Sequence, residues 1–270
     1  MSPAITTLHL TSLDHPGILP YRTLRRQADH IRDGIFVAEG ERVVRRLLAS
    51  PIETVSLLLT PQYIERISRD ISLAQGTTIT VYTADKTLLE SIVGFHAHQG
   101  IMAVGRVPGS PSPHTLPQPH LFVAMDGLTQ SENVGVMVRS AAAFGASAVI
   151  AGETSCSPYL RRAVRNSMGT VFRLPVIHVS TLVSFLESLR KNYSTRILAA
   201  DAHAGSLPAG SDMTGNICVV LGSEDNGISR EVRAVCDDTV TIPMSTGTDS
   251  LNVATACAVL LYEARRQRET

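Results

Sequence analysis

An α/β protein in two parts is what this sequence predicts, and three observations carry the prediction. Short β-branched or apolar runs alternate with helically spaced ones along most of the chain. A stretch with five prolines, residues 107–120, interrupts that alternation. The 270 residues are 44% hydrophobic and carry 24 basic against 24 acidic side chains, the balance of a globular protein rather than a disordered one. A net charge of zero excludes a histone-like polycation and leaves room for a local basic face.

In chain order, residues 1–20 show little periodicity and are expected to form an arm, with a helix beginning at residues 24–28. Ile35 to Ala38 reads as a strand, and Glu39-Gly40 turns it into a helix with Val43, Val44, Leu47 and Leu48 on its apolar face. Arg42, Arg45 and Arg46 fall towards the other side, where a solvated face is the ordinary explanation. Strands are then expected at 55–60, 78–82 and 100–105, with helices at 62–73 and 86–92. These elements make a first domain, residues 1–106, and the proline-rich stretch 107–120 makes a semi-extended linker. His96 and His98 lack carboxylate or cysteine company and make a poor metal site, so no metal is expected.

The second domain, residues 121–270, opens with an apolar strand at 121–125. Asn133 is the expected N-cap of the helix that follows, with Val134, Met137, Val138 and Ala141 inward. Further strands are expected at 148–151, 176–177, 196–200 and 217–221, and helices at 157–164 and 181–191. Ser229 caps a short helix to Val235. Val240 to Met244 reads as a strand ended by Pro243; a polar loop follows, and Asp249 or Ser250 caps a last helix carrying Leu251, Ala254, Ala258 and Leu261. From local chemistry alone this is an ordinary β–α connection, although such loops also cradle ligands with backbone donors.

Four cysteines (Cys156, Cys218, Cys236, Cys257) without Cys-x-x-Cys spacing read as reduced thiols, and with no signal segment or membrane-length apolar run the expected compartment is the cytoplasm. No two glycines stand two apart, which excludes the Gly-x-Gly-x-x-Gly fingerprint; Gly-Lys-Ser and Gly-x-Ser-x-Gly loops are also absent.

Three stretches in order resemble one family. Asn133-x-Gly-x-x-x-Arg139, Gly222-Ser-Glu-Asp-Asn-Gly-Ile-Ser229 and Ile242-Pro-Met-x-x-Gly-x-Asp-Ser-Leu-Asn-Val253 are similar to the three signature motifs of the SpoU (TrmH-like) RNA 2′-O-ribose methyltransferases. Phe36-x-x-Glu-Gly-x-x-x-Val44 and His98-Gln-Gly-Ile-x-Ala103 resemble the ribosomal-protein-like RNA-binding domain that precedes many of their catalytic domains. Two positions depart from the pattern: Asp225 stands where family members usually have glycine, and Gly247 stands one place late.

The resemblance implies a C-terminal trefoil-knotted methyltransferase domain and a homodimer. It implies S-adenosylmethionine held by Leu221, Gly222, Ile242, Met244 and Leu251. It implies catalytic roles for Arg139, Asn133, Glu224, Ser250 and Asn252, and the family proposal makes this arginine the base. Guanidinium deprotonates only above pH ~12, so the chemistry favours Arg139 holding phosphate and steadying oxyanion charge instead. Arg42, Arg165 and Ser167 are the candidate RNA contacts. The implied substrate is ribosomal RNA, with transfer RNA or a non-catalytic RNA-binding role as the alternatives.

Overall fold

The structure is a computed structural model and describes residues 3–76, 78–94 and 100–269. His96, His98 and Gln99 lie outside the described residues. Contacts divide the chain into two compact units, Met1–Gly109 with Tyr159–Arg173, and Ser110–Pro158 with Leu174–Thr270. The division does not follow chain order, since residues 159–173 group with the first unit.

The first unit contains β1 (Ala4–His9), α1 (Leu19–Arg22), α2 (Gln27–Arg32), β2 (Ile35–Glu39), α3 (Glu41–Leu48), β3 (Thr54–Leu59), α4 (Gln62–Leu73), β4 (Thr78–Thr83), α5 (Lys86–Val93) and β5 (Ile101–Arg106). The sheet order is β1-β4-β3-β5-β2, with β5 antiparallel to both neighbours and the other pairs parallel. Two expectations need correction. The expected N-terminal arm contains an edge strand, β1, whose six side chains are all exposed; ladder bonds to β4 hold it, so hydrophobic periodicity could not reveal it. The helix expected to begin at 24–28 starts only at Gln27, as α2; Leu24 and Arg25 form a turn after α1. The four apolar residues of α3 are buried as its spacing requires, each contributing about 1.5–3 kcal/mol.

The second unit contains β6 (Leu121–Asp126), α6 (Ser131–Ala143) and β7 (Ala148–Ala151). The chain then passes to the first unit as α7 (Arg161–Asn166) and returns as β8 (Val176–His178), α8 (Leu182–Tyr193), β9 (Arg196–Ala200), β10 (Ile217–Gly222), α9 (Arg230–Ala234), β11 (Asp238–Val240) and α10 (Val253–Arg268). Its strands are all parallel in the order β11-β9-β10-β6-β7-β8. That explains why β6 and β10 read as unbroken apolar runs: a parallel sheet is covered on both faces. On α6, Val134, Met137, Val138 and Ala141 are buried, and α10 packs against α6 and β10.

Four boundaries differ from expectation, each for a local reason. The N-cap position of α6 is Gln130, not Asn133, and no side chain caps it. α7 starts at Arg161 rather than at Ser157, because Pro158 disfavours helical backbone in the residue before it. β11 stops at Val240: Thr241 donates its N–H to Ser206 O at 3.0 Å, and Pro243 has none to give. The cap of α10 is Asn252, not Asp249 or Ser250; its Oδ1 accepts from the N–H groups of Ala254 at 3.0 Å and Thr255 at 3.4 Å.

Candidate functional site

In a parallel sheet, ligands collect outside the carboxyl ends of the strands. Here Ala200, Gly222 and Val240, at the ends of β9, β10 and β11, line a cavity of about 440 Å³, which suits a small molecule. Its apolar wall includes Leu221, Ile242, Met244, Leu251 and Leu260; Glu224, Asp225, Asp249 and Ser250 supply polar groups. All five sequence-predicted cofactor residues therefore lie on this one cavity.

Gly222 has a steric reason to be glycine. A Cβ there would stand 2.1 Å from the Gly227 carbonyl carbon and 2.2 Å from the Ile228 nitrogen, both backbone atoms. That close approach lets Ser223 and Gly227 exchange backbone hydrogen bonds at 3.0 and 2.8 Å, closing the turn that carries Glu224. The base of the loop is tied to β6, where buried Asp126 accepts the Ser229 N–H at 2.7 Å.

At the cavity rim three of the five predicted catalytic residues meet. Glu224 Oε1 accepts from Asn133 Nδ2 at 2.6 Å and from Asn252 Nδ2 at 3.0 Å, while Asn252 Nδ2 also reaches Asn133 Oδ1 at 3.1 Å. Asn133 sits in the first turn of α6, and Asn252 caps α10 with its oxygen while its nitrogen joins the cluster. One contact thus fixes the start of two helices relative to the Glu224 turn. Ser250 lines the cavity without a hydrogen bond to any described residue. Arg139 does not join the cluster or the cavity lining: it is exposed on α6 and has no hydrogen bond or ion pair with a described residue.

Asp201, His203 and Arg233 were not foreseen from sequence. Asp201 accepts from the N–H groups of His203 at 2.9 Å and Ala204 at 3.1 Å and pairs with Arg233 at 2.5 Å; the His203 N–H foremost, then Arg233, hold its carboxyl below the usual range. The position of Asp201 and His203 just past the carboxyl end of β9 was the available signal, whereas Arg233 lies within α9.

The three RNA candidates fare differently. Arg42 is exposed on α3, with no hydrogen bond or ion pair to a described residue. Arg165 is exposed and within 3.3 Å of Glu39. Ser167 needs correction as a contact: it is fully buried, its hydroxyl donating to Val164 O and accepting from the Gly169 N–H, so it shapes the end of α7. The four cysteines are free, and burial pushes the thiols of Cys156 and Cys236 up to about 11 and Cys257 to about 12.

Residues 120–262 match the family described as SpoU rRNA Methylase, and residues 37–107 match RNA 2′-O ribose methyltransferase substrate binding. The chain belongs to the SpoU rRNA methylase family. Its relatives include an uncharacterized tRNA/rRNA methyltransferase of Mycobacterium tuberculosis, 32% identical over 262 residues, 94% of this chain and 90% of that protein. Among solved structures, the SpoU methyltransferase AviRb from Streptomyces viridochromogenes, in complex with the cofactor AdoMet, is 25% identical with a TM-score of 0.80, covering 94% of this chain and 99% of that one. An AdoMet-bound rRNA methyltransferase from Sinorhizobium meliloti shares the fold at a TM-score of 0.84 and 24% identity, over 96% and 98% of the two chains. The α/β fold of the SpoU family, with its substrate-binding domain first in the chain, is thereby established. No helix among the described residues is long and apolar enough to cross a membrane.

Proposed function

We propose that this SpoU protein transfers a methyl group from S-adenosylmethionine to a ribose 2′-hydroxyl of ribosomal RNA. The observation that carries the reading is the Asn133–Glu224–Asn252 cluster at the rim of a cavity lined by all five cofactor candidates. The wall suits the ligand: apolar side chains accept an adenine and a methylene stem, and the carboxylates favour a cationic sulfonium and ammonium. When bound, S-adenosylmethionine supplies an electrophilic methyl.

The chain's own residues do the rest. Leu221, Ile242, Met244 and Leu251 exclude water from the apolar part of the cavity, and Gly222 lets the Gly227–Ile228 backbone close against the end of β10 beside it. Asn133 and Asn252 hold Glu224 Oε1, which orients the carboxylate and leaves Oε2 to face a polar partner. The free guanidinium of Arg139 is suited to hold an RNA phosphate and to steady charge on the 2′-oxygen as its proton departs. Ser250 provides a hydroxyl at the rim. A trefoil knot in the second unit and a homodimer belong to the same reading; exposed Val136, Val259 and Tyr262 on α6 and α10 support a subunit interface there.

Calorimetric titration with S-adenosylmethionine, followed by mapping of 2′-O-methyl positions in ribosomal RNA incubated with enzyme and cofactor, tests the reading. Saturable binding and a new alkali-resistant linkage are expected. Methylation on a base, or on transfer RNA alone, would overturn the finer part.

A further inference from the structure

Residues 159–173 stand between β7 and β8 in the chain yet pack in the first unit. An aromatic contact holds them there: Phe36, 1% exposed, has its ring centroid 5.4 Å from those of both Tyr159 and Phe172. Gly105 makes room, since a Cβ at that position would come within 2.4 Å of the Phe36 ring. The polar contacts come from the same strand–helix pair. Glu39, the last residue of β2, accepts from Arg161 Nη1 on Oε2 at 2.5 Å and from Arg165 Nη1 on Oε1 at 3.3 Å. From α3, Arg46 Nη1 donates to Met168 O at 2.6 Å, just past α7, where Met168 takes a left-handed φ of 54°.

The two arginines on Glu39 are not equivalent. Arg161 is only 19% exposed and makes the shorter contact, whereas Arg165 is 56% exposed on a longer one. A largely buried carboxylate, 12% exposed, therefore fixes one guanidinium and directs another whose remaining donors face solvent. We propose that Glu39 is a positioning residue for RNA binding: it anchors α7 through Arg161 and holds Arg165 where a backbone phosphate can take its outer donors. Residues 159–173 are then a preordered part of the substrate surface. The proposal rests on the reading that this chain acts on RNA.

Glu39→Gln keeps the side chain's length and removes its charge, and the sign of its effect is diagnostic. Loss of an acidic group in itself strengthens binding to a polyanion, whereas loss of a positioned arginine weakens it. Affinity for deproteinised ribosomal RNA is measured against salt for the wild type, Glu39→Gln, Arg165→Gln and the double variant. Each single variant is expected to bind more weakly, with the slope of log affinity against log salt reduced by about 0.7–0.9, one phosphate contact. The double variant should lose no more than either single one. Amide exchange in residues 161–168 should quicken about tenfold in Glu39→Gln.

Tighter binding or an unchanged slope in Glu39→Gln, additivity in the double variant, or no salt-dependent binding by the wild type would overturn the proposal. If Glu39→Gln does not fold, Arg161→Lys takes its place: it keeps the charge and loses the fork, and an unchanged slope there also overturns it. Titrating the same proteins with S-adenosylmethionine separates this result from the cavity assignment. Cofactor binding with an unaltered slope rejects only the Glu39 role, while a wild type that binds RNA but no cofactor rejects only the cavity.

Discussion

Asn252 Nδ2 and Asn133 Nδ2 converge on a single oxygen of Glu224, at 3.0 and 2.6 Å, from the starts of two different helices. Each asparagine is thereby committed in orientation, because the oxygen of Asn252 faces the α10 backbone. Asn252→Asp keeps the capping oxygen and replaces the donor with an acceptor against Glu224. Thermal stability should fall less than in Asn252→Ala, whose lost cap costs about 1 kcal/mol. S-adenosylmethionine affinity should nevertheless drop about tenfold, roughly 1.4 kcal/mol, by calorimetry. Equal affinity in variant and wild type would remove the cluster from the binding site.

Gly222→Ala is a steric test of the same region. Its Cβ would press on backbone atoms of Gly227 and Ile228, which cannot move aside as a flexible side chain would. We expect a loss of about 1–3 kcal/mol in denaturant unfolding, with cofactor binding lost more completely than stability.

Arg139→Lys separates cofactor binding from transfer. The side chain lies outside the cavity lining, so S-adenosylmethionine affinity should stay within about twofold of wild type. Transfer of radiolabelled methyl to RNA should fall by about 10²-fold, since an ammonium cannot reproduce the planar fork. Near-normal turnover with unchanged RNA affinity would refute the bidentate role.

The last helix carries a pH-dependent anchor. Glu263 is hydrogen-bonded by Arg266 and Gln267, the Arg266 contact foremost, and its carboxyl is pushed down to about 2. A depressed folded value means the stabilisation is complete above the ordinary glutamate range and is lost as pH falls through about 2. The stability difference between wild type and Glu263→Gln should therefore be flat above about pH 5 and shrink below the ordinary value of 4.5 towards about 2. Urea melts across that range would check it.

Most of the sheet in each unit was legible because its strands are apolar runs and its helices carry apolar residues at helical spacing; the cavity was legible only through motifs. Leu221, Ile242 and Leu251 look like core residues in sequence, and the bend that gathers them depends on long-range ladder pairs. Edge strand β1 buries none of its side chains, so nothing in its pattern distinguished it from an arm. Asn133 looked like a helix cap because asparagine is a good one; a tertiary partner 91 residues away took its side chain instead. Glu39 read as half of a turn, and its partners are more than 120 residues distant.

Because Tyr159–Arg173 packs with the first unit, the proline-rich stretch is not a place where the chain can be cut into two independent proteins. A fragment beginning at residue 110 would keep Tyr159 and Phe172, both buried in the intact chain, without Phe36 to cover them, and would be left with an adhesive apolar tongue. A fragment ending at residue 109 would expose Phe36 and the uncompensated carboxylate of Glu39 in turn. Division at the proline-rich stretch therefore uncovers apolar surface on both resulting pieces.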